Sequence, residues 1–314
     1  MHSYHNPRID HPGQVADASD GRVVISITKS LWALSMLIGS LLGLTVFFSW
    51  SGLVLYVVST WLVLCLGHSL GMHRLFIHRA YHVPRWLAIF LIHLGTVTGI
   101  AGPMGMLYTH DLRDWAQRQS RCHAMFAQSG VWYRDLWWQV CCNIQLAMPP
   151  RFVPESAIAK DRAVQWVERT WMLQQLPWAV LFFHLGGWSW VCWGVCARVA
   201  TCIFGHWLIG YCAHNDGLSK HMHRSWHVEE AAVQGQNVRW TSLLAMGENW
   251  HNNHHAFPYS ARMGLESGQW DPGWWILSGL AKLGIASRLV LPESATQRDD
   301  LTRLATSGQT LSTE

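Results

Sequence analysis

Charge is missing from two long parts of this 314-residue chain. Ser30 to His73 contains no Asp, Glu, Lys or Arg, and Thr170 to Asn215 contains only Arg198. A bilayer crossing takes roughly 20 apolar residues, so each part is long enough for a pair of spans, which excludes an ordinary soluble protein. Turn-forming breaks fall near their middles, at Ser49-Trp50-Ser51-Gly52 and Gly186-Gly187. Other absences narrow the field. The eight Cys make no C-x-x-C pair and no framework spacing, so they read as reduced core thiols of a cytoplasm-facing protein. The net charge is only +4 and the Arg residues are scattered, so no basic stripe points to nucleic acid. The N-terminal segment carries Asp10, Asp17 and Asp20 and no apolar run, so no cleaved signal peptide is expected.

What is present follows a simple order. Residues 1–28 read as a polar tail, 29–290 as one membrane domain, and 291–314 as a second polar tail. Spans are expected near 31–48, 52–68, 171–190 and 195–214. The fold class is therefore an all-α membrane protein: two transmembrane helical hairpins, about four spans, beneath a cytosolic His-rich helical cap. Residues 86–107 are also uncharged. A crossing there would put the histidines before and after it on opposite faces, so this stretch reads as interfacial or packed against the cap. Arg22, Lys29, Arg74, Arg79 and Arg85 flank the first pair of spans, and Arg162, Arg169, Lys220 and Arg224 flank the second. The positive-inside rule then puts both termini and the histidines in the cytoplasm, with Trp188, Trp190 and Trp193 as an aromatic belt opposite.

Histidine is abundant, at 19 residues, and its placement is ordered. His73 and His78 form H-x4-H just after a span. His110-Asp-Leu-Arg-Asp114 opens the next polar segment. His206 and His214 lie about two helical turns apart on the last span. His251, His254 and His255, at i, i+3 and i+4, stack along one face of a helix. Clustering on one side of a membrane, each beside a helix end, points to a shared metal site. Imidazole ligands suit iron, copper or zinc. More than four candidates, with no Cys at ligand spacing, argue for two metals over one structural zinc. Two iron ions with O2 and a reductant can attack an unactivated C–H bond, and a membrane offers such bonds in acyl chains.

The remaining histidines read otherwise. His221, His223 and His227 match no ligand spacing and are surface residues or outer partners; His2, His5 and His11 are solvated; His68, His93 and His184 belong to the core or an interface. Trp137, Trp138, Trp274 and Trp275 are candidates to line an acyl tunnel. Arg113, Arg118, Arg121 and Lys160 are candidates to hold an anionic head group, although a solvated basic loop explains them equally well.

HRLFIHRAYH (73–82), GENWHNNHHAFP (247–258) and WDPGWW (270–275) resemble the integral-membrane acyl-CoA and acyl-lipid desaturases of the stearoyl-CoA desaturase type. The order of helix pair, His box, His box, helix pair, isolated His and His box matches over roughly residues 30–290. The resemblance implies metal ligands at His73, His78, His110, His214, His251, His254 and His255. Its second box should read H-x-x-H-H, whereas here only His110 matches. Arg113 has no lone pair for a cation, which leaves Asp114, His123 or His206 to complete the set. The family often has an Asn one turn before the isolated His, where this chain has Gly210. Glu248 and Asp111 are the expected outer partners that fix an imidazole through its other nitrogen; Asn237 and Asp271 are lesser candidates.

The implied activity is that of a membrane-bound non-haem diiron enzyme that uses O2 and external electrons to desaturate a fatty acyl chain. The chain would be carried on CoA, ACP, a lipid or as the free acid. No haem-attachment motif or flavin fingerprint is present, so electrons would come from a ferredoxin or a cytochrome b5-like protein. The altered second box keeps two alternatives open: a related diiron hydroxylase or an oxidative decarboxylase forming a terminal alkene. A non-redox metal-binding membrane protein is the rival from another class.

Overall fold

Strand β1 (Asp17–Ile25) leads into the first span. The computed structural model describes residues 5–215, 218, 222–294 and 298–304; His2, Lys220 and His221 lie outside them. The Ser26 side chain caps helix α1 (Ile27–Thr45) by accepting from the Lys29 amide, and Ser49 caps α2 (Trp50–Leu62) in the same way through Gly52. Beyond Leu62 the helix does not stop. Its bonding widens to the i→i+5 pattern of a π-helix over Val63–Ile77, which carries the chain out to the first histidine pair. Helix α3 (Arg85–Val97) packs along this stretch. At Gly67 and Gly71 any Cβ would collide with the α3 backbone at Leu94 and Leu91, so the close approach requires glycine there.

Helix α4 (Pro103–Arg118) carries the second histidine box and has proline in its first turn. Glu168 Oε2 accepts from Met104 N at 2.8 Å and so satisfies that helix end. Two short helices follow, α5 (Ala124–Ala127) and α6 (Trp132–Cys141), and β2 (Cys142–Met148) then pairs antiparallel with β1. Helices α7 (Ser156–Ala159) and α8 (Arg162–Arg169) return the chain to the membrane. Helix α9 (Leu176–Val191) is interrupted at Gly186-Gly187, where Gly187 has a φ of 63° that favours glycine. A π-helical turn, Cys192–Ala197, joins it to α10 (Arg198–His214).

The interruption is a reversal. A Cβ on Gly194 would lie 2.8 Å from the Phe182 ring; in an unbroken helix residues that far apart in sequence are about 18 Å apart. Ser49 Oγ lies 2.6 Å from Ser189 Oγ, and Trp190 Nε1 donates to Ser51 Oγ at 3.1 Å, so the two hairpin turns sit side by side. Among the described residues, three helical runs are long and apolar enough to cross a membrane: Ile27–Thr45, Trp50–Ile77 and Leu173–His214. Leu31, Leu34, Leu41, Leu44 and Val54 are exposed on them, the reverse of a soluble surface and the pattern lipid requires. Arg198 is 2% exposed and fully engaged, donating to Gly194 O, Val97 O and Gln175 Oε1 at 2.6–3.0 Å.

The remainder forms the cap: β3 (Trp226–Val228), α11 (Ser242–Ala245), α12 (His251–Ala256), α13 (Pro272–Lys282) and β4 (Leu301–Arg303), with β3 and β4 paired. The helical expectation holds, with two small two-stranded sheets added to it. Part of the segment read as a polar tail is folded. Arg8 is 6% exposed and donates to Asp111 Oδ2, Glu155 Oε2 and Ile77 O at 2.5–3.0 Å. Polar composition concealed this because the partners are themselves polar.

Candidate metal centre

Among the described residues, seven imidazoles converge in two groups. His73, His78, His110 and His254 form one; His214, His251 and His255 form the other, with the ligand atoms of each group within 4.8 Å of one another. The H-x4-H spacing is explained by the backbone. On an α-helix residues five apart point about 140° away from each other. Here His78 N donates to His73 O at 3.0 Å, closing one π-helical turn that brings both rings to one side. Helix α4 contributes His110, and α10 contributes His214 at its end. The third box does not send its three rings to a single point. His251 and His255, one α-turn apart, join His214, while His254 turns to the other group.

Short contacts define the chemistry. In the three-histidine group the Nε2 atoms are 3.0 Å (His251–His214), 3.1 Å (His255–His251) and 3.4 Å (His214–His255) apart. In the four-histidine group His110 Nε2 lies 3.2 Å from His73 Nε2 and 3.3 Å from His78 Nε2. A triangle of ring nitrogens cannot be satisfied by protons alone. Each nitrogen either carries hydrogen or does not, so at least one pair must be alike and repulsive. Metal–imidazole bonds of about 2.0–2.1 Å set ligand nitrogens roughly 2.9–3.4 Å apart, which matches these edges. Both nitrogens of His254 are buried without a hydrogen-bond partner, a cost of about 1–3 kcal/mol each unless a cation uses the lone pair. The donor set fits a metal ion in each group.

The field around the rings keeps most of them neutral. Burial, followed by the neighbouring imidazoles, pushes His78, His254 and His255 well below the usual histidine range, and burial pushes His251 down to about 4. At His110 burial acts downward, but Asp114 and Asp111 outweigh it and hold the ring above its ordinary value. The outer nitrogen of His73 faces a buried carboxylate. His73 Nδ1 is 2.5 Å from Glu248 Oε2, and Ser69 Oγ donates to Glu248 Oε1 at 2.5 Å. Burial alone would raise Glu248; His73 and Arg74 overcome it and hold the carboxyl well below its usual range. Arg74 is in turn bound to Asp271 at 2.7 Å. Asn237 Oδ1 accepts from Asn252 N at 3.0 Å and so holds the start of α12.

The residues offered for the incomplete second box separate. Asp114 Oδ2 is 4.0 Å and Asp111 Oδ1 3.6 Å from His110 Nδ1, both on the side of the ring away from the cluster. His123 lies in neither group: its Nδ1 accepts from Met125 N and its ring packs on Trp138. His206 is outside both as well, with its ring 5.2 Å from that of His68. A buried partner the sequence did not signal is Gln128, 1% exposed, whose side-chain amide lies 2.8 Å from His214 Nδ1.

A cavity of about 610 Å³, within the ~300–1,000 Å³ typical of small-molecule sites, is walled in part by Thr109, next to His110 in sequence, and by Gln128, which contacts His214; none of the seven clustered histidines lines it. Met106, Leu112, Phe126, Ile203, Trp207 and His206 are among its walls. Its tryptophans are Trp32, Trp171 and Trp207, and none of Trp137, Trp138, Trp274 or Trp275 lines it. Arg113 also borders it, donating to Gln139 Oε1 at 2.9 Å.

Spanning helices and a paired set of buried imidazole clusters define the class: a helical membrane protein whose histidines are arranged to hold metal. Comparison with known proteins narrows it. Residues 48–265 match the family model described as fatty acid desaturase. The sn-1 stearoyl-lipid 9-desaturase of Anabaena variabilis is 31% identical over 88% of this chain and 98% of its own length. The sn-2 palmitoyl-lipid 9-desaturase of Nostoc sp. (strain 36) is 32% identical, over 80% of this chain and 86% of its own length, and the acyl-CoA 5-desaturase of Anemone leveillei is 28% identical over 80% of this chain. The chain belongs to the fatty acid desaturase family.

Proposed function

We propose that the protein is a membrane-bound desaturase that removes two hydrogens from adjacent carbons of a fatty acyl chain, using O2 and electrons from a separate donor. The balance is one –CH2–CH2– unit, O2, two electrons and two protons, giving –CH=CH– and two waters. Iron bound at both clusters would supply the oxidising power needed for an unactivated C–H bond. His73, His78, His110 and His254 would hold one ion; His214, His251 and His255 would hold the other, with Asp111 and Asp114 behind His110 at 3.6 and 4.0 Å from its Nδ1. Glu248 and Asp111 fix His73 and His110 from behind, so the rings keep one tautomer and one orientation. The single observation that carries this reading is the convergence of Nε2 atoms at 3.0–3.4 Å in a buried site.

The cavity has a largely apolar lining that suits an alkyl chain, and its walls would hold one methylene pair toward the clusters while excluding water. Two relatives are named for lipid-linked chains, which favours an acyl lipid as carrier. A ferredoxin or cytochrome b5-like protein would deliver the electrons, and the positive-inside distribution supports a cytoplasmic cap. Residues 29–290 act in this reading as one membrane domain. Expression in a heterologous host, with fatty-acid profiling by mass spectrometry, tests it. A new cis double bond is expected from the wild type and none from His254→Ala; unchanged activity in that variant refutes the site, and an oxygenated or one-carbon-shortened product refutes simple desaturation.

A further inference from the structure

The cap meets the second span at the depth where a bilayer would end. A hydrocarbon core of ~30 Å takes about 20 helical residues. Counted from Trp50 at the hairpin turn, the crossing ends near Ser69 and Leu70. Leu277 of α13 is buried in one cluster with Leu70, and Leu66, Trp274, Ile276 and Leu280 pack on that cluster. Ser69 Oγ lies 3.3 Å from Met246 O, just past α11, and a Cβ on Gly273 would lie 3.1 Å from the same hydroxyl. Both α13 and the turn that leads into Met246 therefore sit at the membrane boundary.

Their outward faces are apolar. From Pro272 to Ala281 there is no charged residue. Gly273 and Leu277 are buried, whereas Trp275 and Leu283, about two helical turns apart and so on one face, are 52% and 74% exposed. A helix that is apolar on every side belongs in a core or in lipid. The turn repeats the pattern, with Trp240 95% and Leu244 74% exposed. Trp240 also holds a left-handed φ of 72°, an uncommon and costly conformation for a bulky side chain. Water returns nothing for that cost, while an indole at a bilayer interface has its apolar body in lipid and its N–H in the wet layer. Arg239 and Lys282 flank the two segments, within reach of head groups.

We infer that α13 and the 240–244 turn are seated in the bilayer leaflet on the cap's side, with Trp240, Leu244, Trp275 and Leu283 in contact with lipid. Lipid is the occupant because this apolar surface continues, at the same depth, the exposed leucines of the spans. The seating also fixes the height of the third histidine box, since Glu248 and His251 follow the turn directly and Glu248 reaches His73. It follows from the spans alone and holds whatever reaction the clusters carry out.

Nitroxide labels placed singly on Leu244→Cys, Trp275→Cys, Leu283→Cys and Glu229→Cys test the seating, in full-length protein held in phosphatidylcholine nanodiscs. Glu229, an exposed carboxylate next to β3, is the aqueous reference. The signal of the labelled parent chain, with its eight cysteines, is subtracted. Spin relaxation is read with O2, which concentrates in lipid, and with a neutral nickel chelate, which stays in water. The O2-to-nickel accessibility ratio is expected to be several-fold higher at 244, 275 and 283 than at 229. A ratio at 244 or 283 no higher than at 229 overturns the inference. Protection from both reagents at those two sites means that protein covers them, a second copy of the chain included, and overturns it as well.

Discussion

Replacing Glu248 probes how strongly a buried carboxylate steadies the four-histidine cluster. Glu248 Oε2 meets His73 Nδ1 at 2.5 Å, Oε1 accepts from Ser69 at 2.5 Å, and Arg74 Nε lies 3.8 Å away. Glu248→Gln keeps an acceptor and the shape but removes the charge. A charge-assisted hydrogen bond contributes about 1.5–3 kcal/mol and a neutral one about 0.5–1.5, so the difference is about 1–1.5 kcal/mol. At 1.4 kcal/mol per tenfold, metal affinity at this cluster should fall roughly 5–10-fold. Glu248→Ala removes the acceptor as well, leaving His73 free to rotate, and should approach the roughly 100-fold upper range for outer partners. Chelator competition with ferrous iron measures both variants, and the three-histidine site serves as the internal control. Equal affinity in wild type and Glu248→Ala would refute the claim that Glu248 orients a ligand.

Other expectations follow from the same contacts. Acidification should empty the four-histidine cluster first. The raised pKa of His110 means it takes up a proton, and stops ligating, at higher pH than His251 at about 4 or His255, which lies well below the ordinary value; iron per chain after equilibration at falling pH should therefore drop in two steps, and a single step is the contrary result. Arg198→Met strips partners from Gly194 O, Val97 O and Gln175 Oε1, and should lower stability by about 3 kcal/mol or more, read as a lower melting temperature in detergent. His123→Ala removes only a cap on a four-residue helix and should leave iron content and product unchanged. His206→Ala should retain both ions but alter product yield or chain-length preference, since His206 borders the cavity rather than a cluster.

Sequence made the hairpins and the histidine set legible for clear physical reasons. Uncharged runs have few uses outside a bilayer, and imidazoles beside helix ends on one face have few uses outside metal binding. Glu248 was also legible, because a carboxylate three residues before His251 lies near the site whichever helix it serves; its actual partner is His73, from the other hairpin. The division of the third box between two clusters was not legible. Helical spacing predicts a shared face for His251, His254 and His255 but does not say where along it each ring is aimed. Gln128 left no signal. It is distant in sequence from His214 and meets it only through the tertiary fold. Arg8 was lost for a similar reason: its partners Asp111 and Glu155 are brought together only by the tertiary fold.

The account turns on what occupies the two clusters. Iron analysis of purified full-length protein, joined to X-ray absorption at the iron edge, tests this directly. The expected result is close to two iron ions per chain in a shell dominated by imidazole nitrogen. One zinc per chain, or no bound metal after anaerobic loading with ferrous iron, would contradict it.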